Sequence, residues 1–349
     1  MKHAVILGII VALCAVPALA GAEPGPELCF ADALELMYEN NAALQIAQLN
    51  LEIAQIDYDK AMAAVLMSGS QQSAMQAEHS LERAKNSYRT ARQNSYLETF
   101  RAYTDVLAGQ RSVEVRELEL VIAEHNFAVV QEKVRIGDAG KLDELSEMNR
   151  VEAARRNANS AKQSLAERER VLRRLLGLGE DAPLNLSAEF PLPVLSWTLA
   201  ECIEKGLENS FTLWDQKSSL ELQERQLETA RIDGTPPIDL RRAELNAQIA
   251  RLNLAREEES IVESITSAYY ALGEALARYE SAVRDWEIAQ ETYEIYRRQA
   301  EMGLITDMQL RQHRVSLLNA EGSLADALTA YLTSYIQFHH TLGLDGNIQ

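Results

Sequence analysis

The sequence predicts an all-α protein of two tandem repeats, each with a short, a long and a short helix. Three landmarks recur after 166 residues: Tyr103 at Tyr269, Gly137 at Gly303, and Leu176-Gly177 at Leu342-Gly343. The opening segment, residues 28–40, recurs at residues 197–209. A fixed period of this size indicates a duplicated structural unit. Apolar residues at three- and four-residue spacing favour an elongated, coiled-coil-like helical bundle or α-barrel segment.

In the first repeat, residues 23–177, the apolar pattern predicts three helices separated by two breaks. The first helix covers Phe30–Leu66 and ends in the polar segment 66–73. A long helix follows over Ser73–Ile136 and would span about 96 Å at a rise of about 1.5 Å per residue. The glycine-containing turn at 137–141 leads into the third helix, Leu142–Leu176.

A proline-rich linker, residues 178–196, separates this repeat from the second one, residues 197–349. The second repeat follows the same plan, with a first helix from Trp197 to Ile232 and a break at 233–239 that holds two prolines. A long helix over Leu240–Met302, a turn at 303–306 and a last helix complete it. The predicted helix content exceeds ~80%, far above the third that is typical of globular proteins.

The first 22 residues have the pattern of a cleaved signal peptide. Lys2 precedes an apolar run, and Ala18-Leu19-Ala20 offers a small-x-small cleavage site. No later stretch approaches the ~20 uncharged apolar residues of a membrane-spanning helix. We therefore expect an exported protein in the periplasm, and association with the outer membrane stays open. A net charge of −18 argues against nucleic acid and against anionic membrane surfaces as partners.

The residues that could carry chemistry do not form a catalytic, cofactor or metal motif. The histidines lie apart on charged helices, without the four-residue spacing of a metal-binding helix. The many glutamates fit solvated helix faces. Outside the predicted signal, Cys29 and Cys202 lie near the starts of the two repeats. They could form a disulfide in an oxidising compartment or remain two unpaired small apolar residues. The sequence thus favours a protein that is not an enzyme and holds no cofactor or metal.

The ordered set of motifs resembles the TolC-like outer-membrane efflux proteins. Each repeat opens with a stretch such as ADALELMYENN at Ala31, carries an AYT or AYY motif at Ala102 and Ala268, and turns at a glycine. It then closes on a leucine-glycine pair, followed in the first repeat by the proline-rich linker. The resemblance implies a homotrimer whose helices build a hollow periplasmic tube. It also implies a periplasmic adaptor protein and an inner-membrane pump as partners.

Two departures from that family alter the expectation. Family members insert a β-hairpin between the first and second helices of each repeat, where this chain has only 66–73 and 233–239. Since a membrane-spanning strand needs ~10 residues, we expect no transmembrane β-barrel. The family's acidic entrance residues are also replaced, by Gln309 and Gln312, although Asp307 lies nearer the turn.

The resemblance places the two glycine turns at the end that meets the adaptor. The candidate docking residues are Arg135, Gly137, Lys141, Met302, Gly303, Leu304, Ile305 and Thr306. The glycines could instead serve only the turn, by adopting a positive φ. Leu304 and Ile305 are the better interaction signal, because a bare turn gains nothing from two aliphatic side chains.

The sequence therefore predicts a TolC-like periplasmic helical component of an efflux or export assembly. It would dock an adaptor through its helix-turn tips and would not itself span the outer membrane. The alternative is a free-standing periplasmic coiled-coil scaffold or holdase chaperone.

Overall fold

The computed structural model describes residues 27–68 and 71–345, and the predicted signal peptide lies outside them. Eight α-helices account for 85% of the described chain, which confirms the all-α prediction. They are α1 Phe30–Asn40, α2 Ala42–Ser68, α3 Gln71–Arg135, α4 Lys141–Leu176, α5 Leu199–Asn209, α6 Phe211–Ile232, α7 Pro237–Glu301 and α8 Asp307–Thr341. None of these eight helices contains an apolar stretch long enough to cross a membrane.

The predicted short–long–short order holds, but the first short helix of each repeat is divided in two. Asn41 and Ser210 adopt extended backbone between the halves. Each side chain then caps the helix that follows: Leu44 N donates to Asn41 Oδ1 at 3.1 Å, and Leu213 N donates to Ser210 Oγ at 3.2 Å. A polar cap satisfies a backbone donor that a fresh helix start leaves open, so the chain can bend there. The prediction of one continuous helix over 30–66 and over 197–232 was therefore wrong.

The starts of the two repeats use the same capping box with different chemistry. Thr198 Oγ1 accepts from Glu201 N, and the Glu201 carboxylate accepts from Thr198 N at 2.7 Å. In the first repeat Cys29 takes the place of the threonine, and its Sγ accepts from Asp32 N at 3.5 Å. Hydrogen bonds from the side chain and then from the backbone of Cys29 lower the pKa of Asp32. Both cysteines are free thiols, so the disulfide alternative is not formed.

The chain divides into two compact units. The first comprises the described residues of Met1–Pro191 together with Ala277–Ala330, and the second comprises those of Leu192–Leu276 and Tyr331–Gln349. Both units thus draw on α7 and α8. The domain boundaries that the repeats suggest remain a prediction.

An aromatic cluster forms the core of the first unit. The Phe30 ring, at the start of α1, makes edge contacts with Tyr96, Phe100 and Tyr103 of α3 at centroid distances of 5.4–5.6 Å. Phe190, from the linker, packs against Phe30, Phe100 and Tyr103. Such T-shaped pairs add to the free energy gained by burying the rings. Burial of these aromatic rings therefore holds the linker and α1 against the middle of α3.

Hydrogen bonds reinforce this junction. Leu28 and Leu186 form a parallel bridge in which Leu28 N donates to Asn185 O at 2.7 Å and Ser187 N donates to Leu28 O at 3.1 Å. The Tyr103 hydroxyl lies 2.8 Å from Leu28 O and 2.7 Å from Ser187 O and shares its proton between them. Burial raises the pKa of this tyrosine, so the hydroxyl stays a donor.

The helices α3 and α4 form an antiparallel hairpin. Lys162 of α4 pairs with Glu117 of α3 at 2.7 Å, while the earlier Arg155 pairs with the later Glu124 at 3.1 Å. Near the aromatic cluster, Gly109 allows close approach, since a Cβ there would lie 3.0 Å from Leu165 Cδ1. The two exposed ion pairs between α3 and α4 are consistent with this antiparallel register, but they contribute little to stability.

In the second unit, α5 packs closely against α7 and the end of α8. A Cβ at Gly206 would lie 2.2 Å from Ile265 Cδ1 and 3.4 Å from Leu342 Cδ2, and both neighbours are fully buried. The Tyr331 hydroxyl donates to Pro193 O. Glycine at 206 thus permits this close helix contact, because a Cβ there would force the Ile265 side chain to shift.

Two adjacent histidines near the end of α8 are held neutral by burial. His339 Nε2 is buried without a hydrogen-bond partner among the described residues, and its ring lies against Tyr335 and Trp197. Desolvation lowers the pKa of His339, and it lowers that of His340 to about 4, although Asp345 acts in the opposite direction. A histidine whose pKa is lower in the folded than in the unfolded protein makes the fold less stable as the pH falls. The reason is that the unfolded chain then binds a proton that the folded chain does not.

We expect acidification from pH 7 to pH 5 to destabilise the second unit by about 1–2 kcal/mol. In this range the unfolded histidine, with its pKa near 6.5, takes up a proton, whereas folded His340 stays neutral down to about pH 4. Urea unfolding at both pH values measures this loss. The variant His340→Gln should show a shallower pH dependence than the parent. An identical pH dependence in the variant would assign the loss to other groups.

Candidate functional site

The candidate site consists of two helical turns, which we call the first tip (residues 135–142) and the second tip (residues 302–308). The first tip joins α3 to α4 and the second joins α7 to α8. Both belong to the first compact unit. The sequence-predicted residues therefore fall on two turns: Arg135, Gly137 and Lys141 on one, and Met302, Gly303, Leu304, Ile305 and Thr306 on the other.

The two tips share one backbone conformation at the helix end. In the first tip Gly137 N donates to Val134 O at 3.1 Å and Asp138 N donates to Lys133 O at 2.8 Å. In the second tip Gly303 N donates to Ala300 O and Leu304 N donates to Gln299 O, both at 2.9 Å. This Schellman pattern needs a left-handed residue, and the two glycines have φ of 81° and 72°. Both glycines thus serve the turn, whatever else the tips do.

The start of the outgoing helix is also capped in both tips. At the first tip Gly140 N donates to Asp143 Oδ2 at 2.9 Å. At the second, Gln309 N donates to Thr306 Oγ1 at 3.2 Å, and Thr306 N donates to Gln309 Oε1 at 2.9 Å. This capping box explains Gln309, where the resemblance led us to expect an acidic entrance residue. Asp307 pairs with Arg311 on its own helix at 2.8 Å.

The charged residues of the first tip are paired within their own helices. Arg135 forms an ion pair with Glu132, and this contact lowers the pKa of the glutamate and raises that of the arginine. Lys141 pairs with Glu144 at 2.6 Å, which lowers the pKa of Glu144. The Arg135–Glu132 pair and the Lys141 side chain are exposed, so these pairs contribute little to stability and remain open to exchange with a partner.

After its turn glycine, the second tip is apolar where the first is polar or small. With the 166-residue shift, Leu304 takes the place of Asp138 and Ile305 that of Ala139, whereas Met302 corresponds to the apolar Ile136. Leu304 is 69% exposed and Met302 66% exposed, whereas Ile305 is only half-exposed. Exposed aliphatic side chains on a turn with fixed backbone form an apolar knob.

The sequence reasoning missed two exposed apolar residues, Ile136 and Leu142, which flank the first turn. Further along α4, Leu145 and Met148 are each 43% exposed. The three-residue spacing of 142, 145 and 148 was the available signal, because a heptad seam alternates spacings of three and four. These four residues extend the first tip along α4.

The tips show no arrangement for chemistry. Within residues 27–68 and 71–345, no group of three histidine, cysteine, aspartate or glutamate residues could hold a metal ion. The tip residues offer apolar side chains, paired charges and capped backbone, which suits contact with another protein.

Comparison with known proteins finds one matching family model, which covers part of the chain. Residues 66–178 match the family model "Outer membrane efflux protein". A comparison with curated protein sequences finds no significant match. The family matched is one of efflux proteins, in agreement with the resemblance drawn from the motifs.

Solved outer-membrane channels share the fold at low sequence identity. The CmeC channel of Campylobacter jejuni is 15% identical with a TM-score of 0.60, and the match covers 92% of this chain and 86% of CmeC. For VceC of Vibrio cholerae the values are 12%, 0.60, 91% and 97%. For the open state of MtrE of Neisseria gonorrhoeae they are 15%, 0.61, 92% and 90%. Residues 66–178 are thus similar to the outer membrane efflux protein family, and the described helices have the fold of these solved outer-membrane channels.

Proposed function

We propose that this protein is a TolC-like periplasmic component of an efflux or export assembly, and that it docks a periplasmic adaptor through its two tips. The apolar knob of the second tip carries the proposal. Met302 and Leu304 are exposed on a turn held by two Schellman hydrogen bonds and a capping box. A rigid apolar anchor loses little conformational entropy on binding, which favours a specific partner.

The rest of the assembly follows from the family and from the fold. We propose a homotrimer that acts with the adaptor and an inner-membrane pump, after export to the periplasm by a cleaved signal peptide. The prediction that the chain does not itself cross the outer membrane rests on the shortness of segments 66–73 and 233–239. Cell fractionation followed by extraction without detergent tests it. Recovery only in detergent would contradict the prediction.

The docking test places a photo-crosslinking residue at position 304 in cells that contain the partner proteins. We expect a covalent product whose second component mass spectrometry identifies as a periplasmic adaptor. Leu304→Asp should lower the amount of co-purified adaptor about tenfold, because burying a leucine on binding is worth roughly 1.5–3 kcal/mol. Thermal unfolding should stay unchanged, since the side chain is exposed.

The matched control is Asp138→Ala, which changes the residue at the same backbone position of the first tip. It should leave the adaptor yield near that of the parent. Equal loss in the two variants, or adaptor binding that is insensitive to Leu304→Asp, would contradict docking through the apolar knob. Suppression of outer-membrane protein aggregation by the purified chain, without adaptor binding, would favour the scaffold or holdase alternative.

A further inference from the structure

The end of α8 packs against the start of the second repeat through a buried histidine. The ring centroid of His339 lies 5.5 Å from that of Trp197, just before α5, and 4.4 Å from that of Tyr335, one turn earlier on α8. The residue is only 9% exposed, and its Nε2 atom has no hydrogen-bond partner among the described residues. Leaving a buried polar atom without a partner costs stability, and a protonated imidazole at the same place would cost more.

Beyond the histidines, the last turn of α8 lies on α5. A Cβ at Gly343 would lie 2.8 Å from Asn209 Cβ, and a Cβ at Gly206 would lie 3.4 Å from Leu342 Cδ2. Cys202 lies one turn before Gly206 on the same face of α5, and it is a fully buried free thiol. The last turn of α8 therefore covers this face of α5, and the Cys202 thiol can report whether the cover is in place.

The first repeat holds a charged residue at the place of His339. With the 166-residue shift, Arg173 takes the position of His339, and Glu169 takes that of Tyr335. The Arg173 side chain is only 17% exposed; it pairs with Glu169 at 3.1 Å, and its Nε donates to Ala182 O at 2.8 Å. A charge with so little access to water is stable in a fold when it has such partners. A proton on His339 would instead meet a phenol ring where Arg173 meets a carboxylate.

The charged groups that the structure describes around the two histidines do not supply that counter-ion to His339. On α5, Lys205 Nζ lies 4.8 Å from the Trp197 ring centroid, while Glu201 caps the start of the helix. Asp345, beyond α8, acts on the neighbouring His340. The titratable side chains of α7 and α8 in this cluster are phenols, which carry no charge at acid pH: Tyr269, Tyr331 and Tyr335.

We propose that His339 and His340 form a pH switch, in which the end of α8 is held against α5 while both imidazoles are neutral and is released when they take up protons. Only the last two turns of α8, which carry the histidines, leave their place. The switch lies in the second unit and is separate from the docking tips, which belong to the first unit. Local release of this kind precedes unfolding of the whole unit.

The pH range of the switch follows from the difference between its two forms. In the closed form burial lowers the pKa of His339, and it lowers that of His340 to about 4, whereas an exposed histidine titrates near 6.5. The released form therefore binds protons more readily than the closed form. The ratio of released to closed protein thus rises as the pH falls from about 6.5 to about 4, and each histidine contributes up to about tenfold per pH unit.

Hydrogen exchange at pH 7 and at pH 5, corrected for the intrinsic exchange rates, tests the switch in the chain beginning at residue 23. The protection of residues 335–342 and 199–209 should fall at least about tenfold at pH 5. The first repeat is the matched internal control, because residues 169–176 and 30–40 occupy the same places and include the paired Arg173. Their protection should stay unchanged. Equal loss in both repeats, or no loss in the second, would overturn the switch.

Two variants assign the effect to the histidines. His339→Phe combined with His340→Gln keeps a ring against Trp197 and removes both titrating groups, so protection at pH 5 should equal that at pH 7. Tyr335→Glu supplies the carboxylate of the first repeat, so His339 can be protonated in the closed form and the loss at pH 5 should be smaller than in the parent. Circular dichroism at pH 7 checks that each variant is folded. A folded double variant that loses protection as the parent does would overturn the role of the histidines.

The thiol of Cys202 provides a second measurement, in a Cys29→Ser background. A pyridyl disulfide, which reacts with thiols at acid pH, should label Cys202 at least about tenfold faster at pH 5 than at pH 7. Both rates are expressed relative to that of the urea-unfolded chain at the same pH, which removes the pH dependence of the reagent. Adding the double histidine variant should abolish the difference. A thiol that remains as protected at pH 5 as at pH 7 would show that α8 does not leave α5.

Discussion

Replacing Phe100 with alanine is expected to lower the free energy of unfolding of the first unit by about 4 kcal/mol. The ring is fully buried and makes edge contacts with Phe30 at 5.4 Å and with Phe190 at 5.6 Å. Truncating a buried phenylalanine costs roughly 3–5 kcal/mol, because transfer energy is lost and a cavity remains. The loss of unfolding free energy should approach the upper end of the range of roughly 3–5 kcal/mol only if α1 and the linker also detach from α3.

Urea unfolding followed by circular dichroism measures this change. Tyr270→Ala is the control, since that ring is 61% exposed and its removal should cost less than about 1 kcal/mol. If Phe100→Ala loses no more stability than the control, the aromatic cluster is not the core of the unit.

Replacing Gly177 with alanine is expected to cost about 3 kcal/mol, and replacing Gly137 only about 1 kcal/mol. The two glycines have left-handed φ of 69° and 81°, so an alanine pays roughly 1–2 kcal/mol for the backbone conformation at either position. At Gly177 the new Cβ would also lie 2.5 Å from Asn40 Cβ, whereas at Gly137 nothing lies within 4 Å. Overpacking adds a further 1–3 kcal/mol or so.

The second repeat provides an independent pair. A Cβ at Gly343, with φ of 70°, would lie 2.8 Å from both Cβ and the carbonyl oxygen of Asn209, and Gly303 has open space. The difference in unfolding free energy between the members of each pair isolates the packing contribution, because the conformational cost is shared. Equal losses at Gly177 and Gly137 would show that the α1–α4 junction tolerates an added methyl group.

The same comparison explains why the leucine-glycine pairs recur in the sequence. Asn40 Nδ2 donates to Leu176 O at 3.1 Å and to Leu36 O at 2.9 Å, so the end of α1 is fastened to the end of α4. In the second repeat Asn209 packs on Gly343 and donates to Lys205 O at 2.9 Å. In the sequence, Asn40 and Gly177 recur as Asn209 and Gly343 in the second repeat. Only the structure shows that each asparagine contacts the glycine of its own repeat.

The candidate site was predictable in position but only partly in chemistry. Gly137 and Gly303 predicted two turns, because few residues other than glycine adopt the left-handed conformation that ends a helix there. The exposure of Leu304 was also expected from an aliphatic residue directly after a turn glycine. The exposure of Leu142 was not expected, since it depends on which face of α4 a neighbouring helix covers. The Arg135–Glu132 pair and the Thr306–Gln309 capping box are local contacts at three-residue spacing, and the sequence analysis overlooked them.

By itself, the sequence determined the fold class, the duplication and most helix ends. Heptad spacing, glycine turns and polar caps act over fewer than about ten residues, so they can be recognised along the chain. Only the tertiary structure decided that Leu44 and Leu51 of α2 are packed while Ile46 and Ile53 are exposed. It also decided that Phe190 packs against Phe30 and Phe100. Those outcomes depend on contacts between residues far apart in sequence, and a heptad pattern looks the same whether its stripe faces a neighbouring helix or solvent.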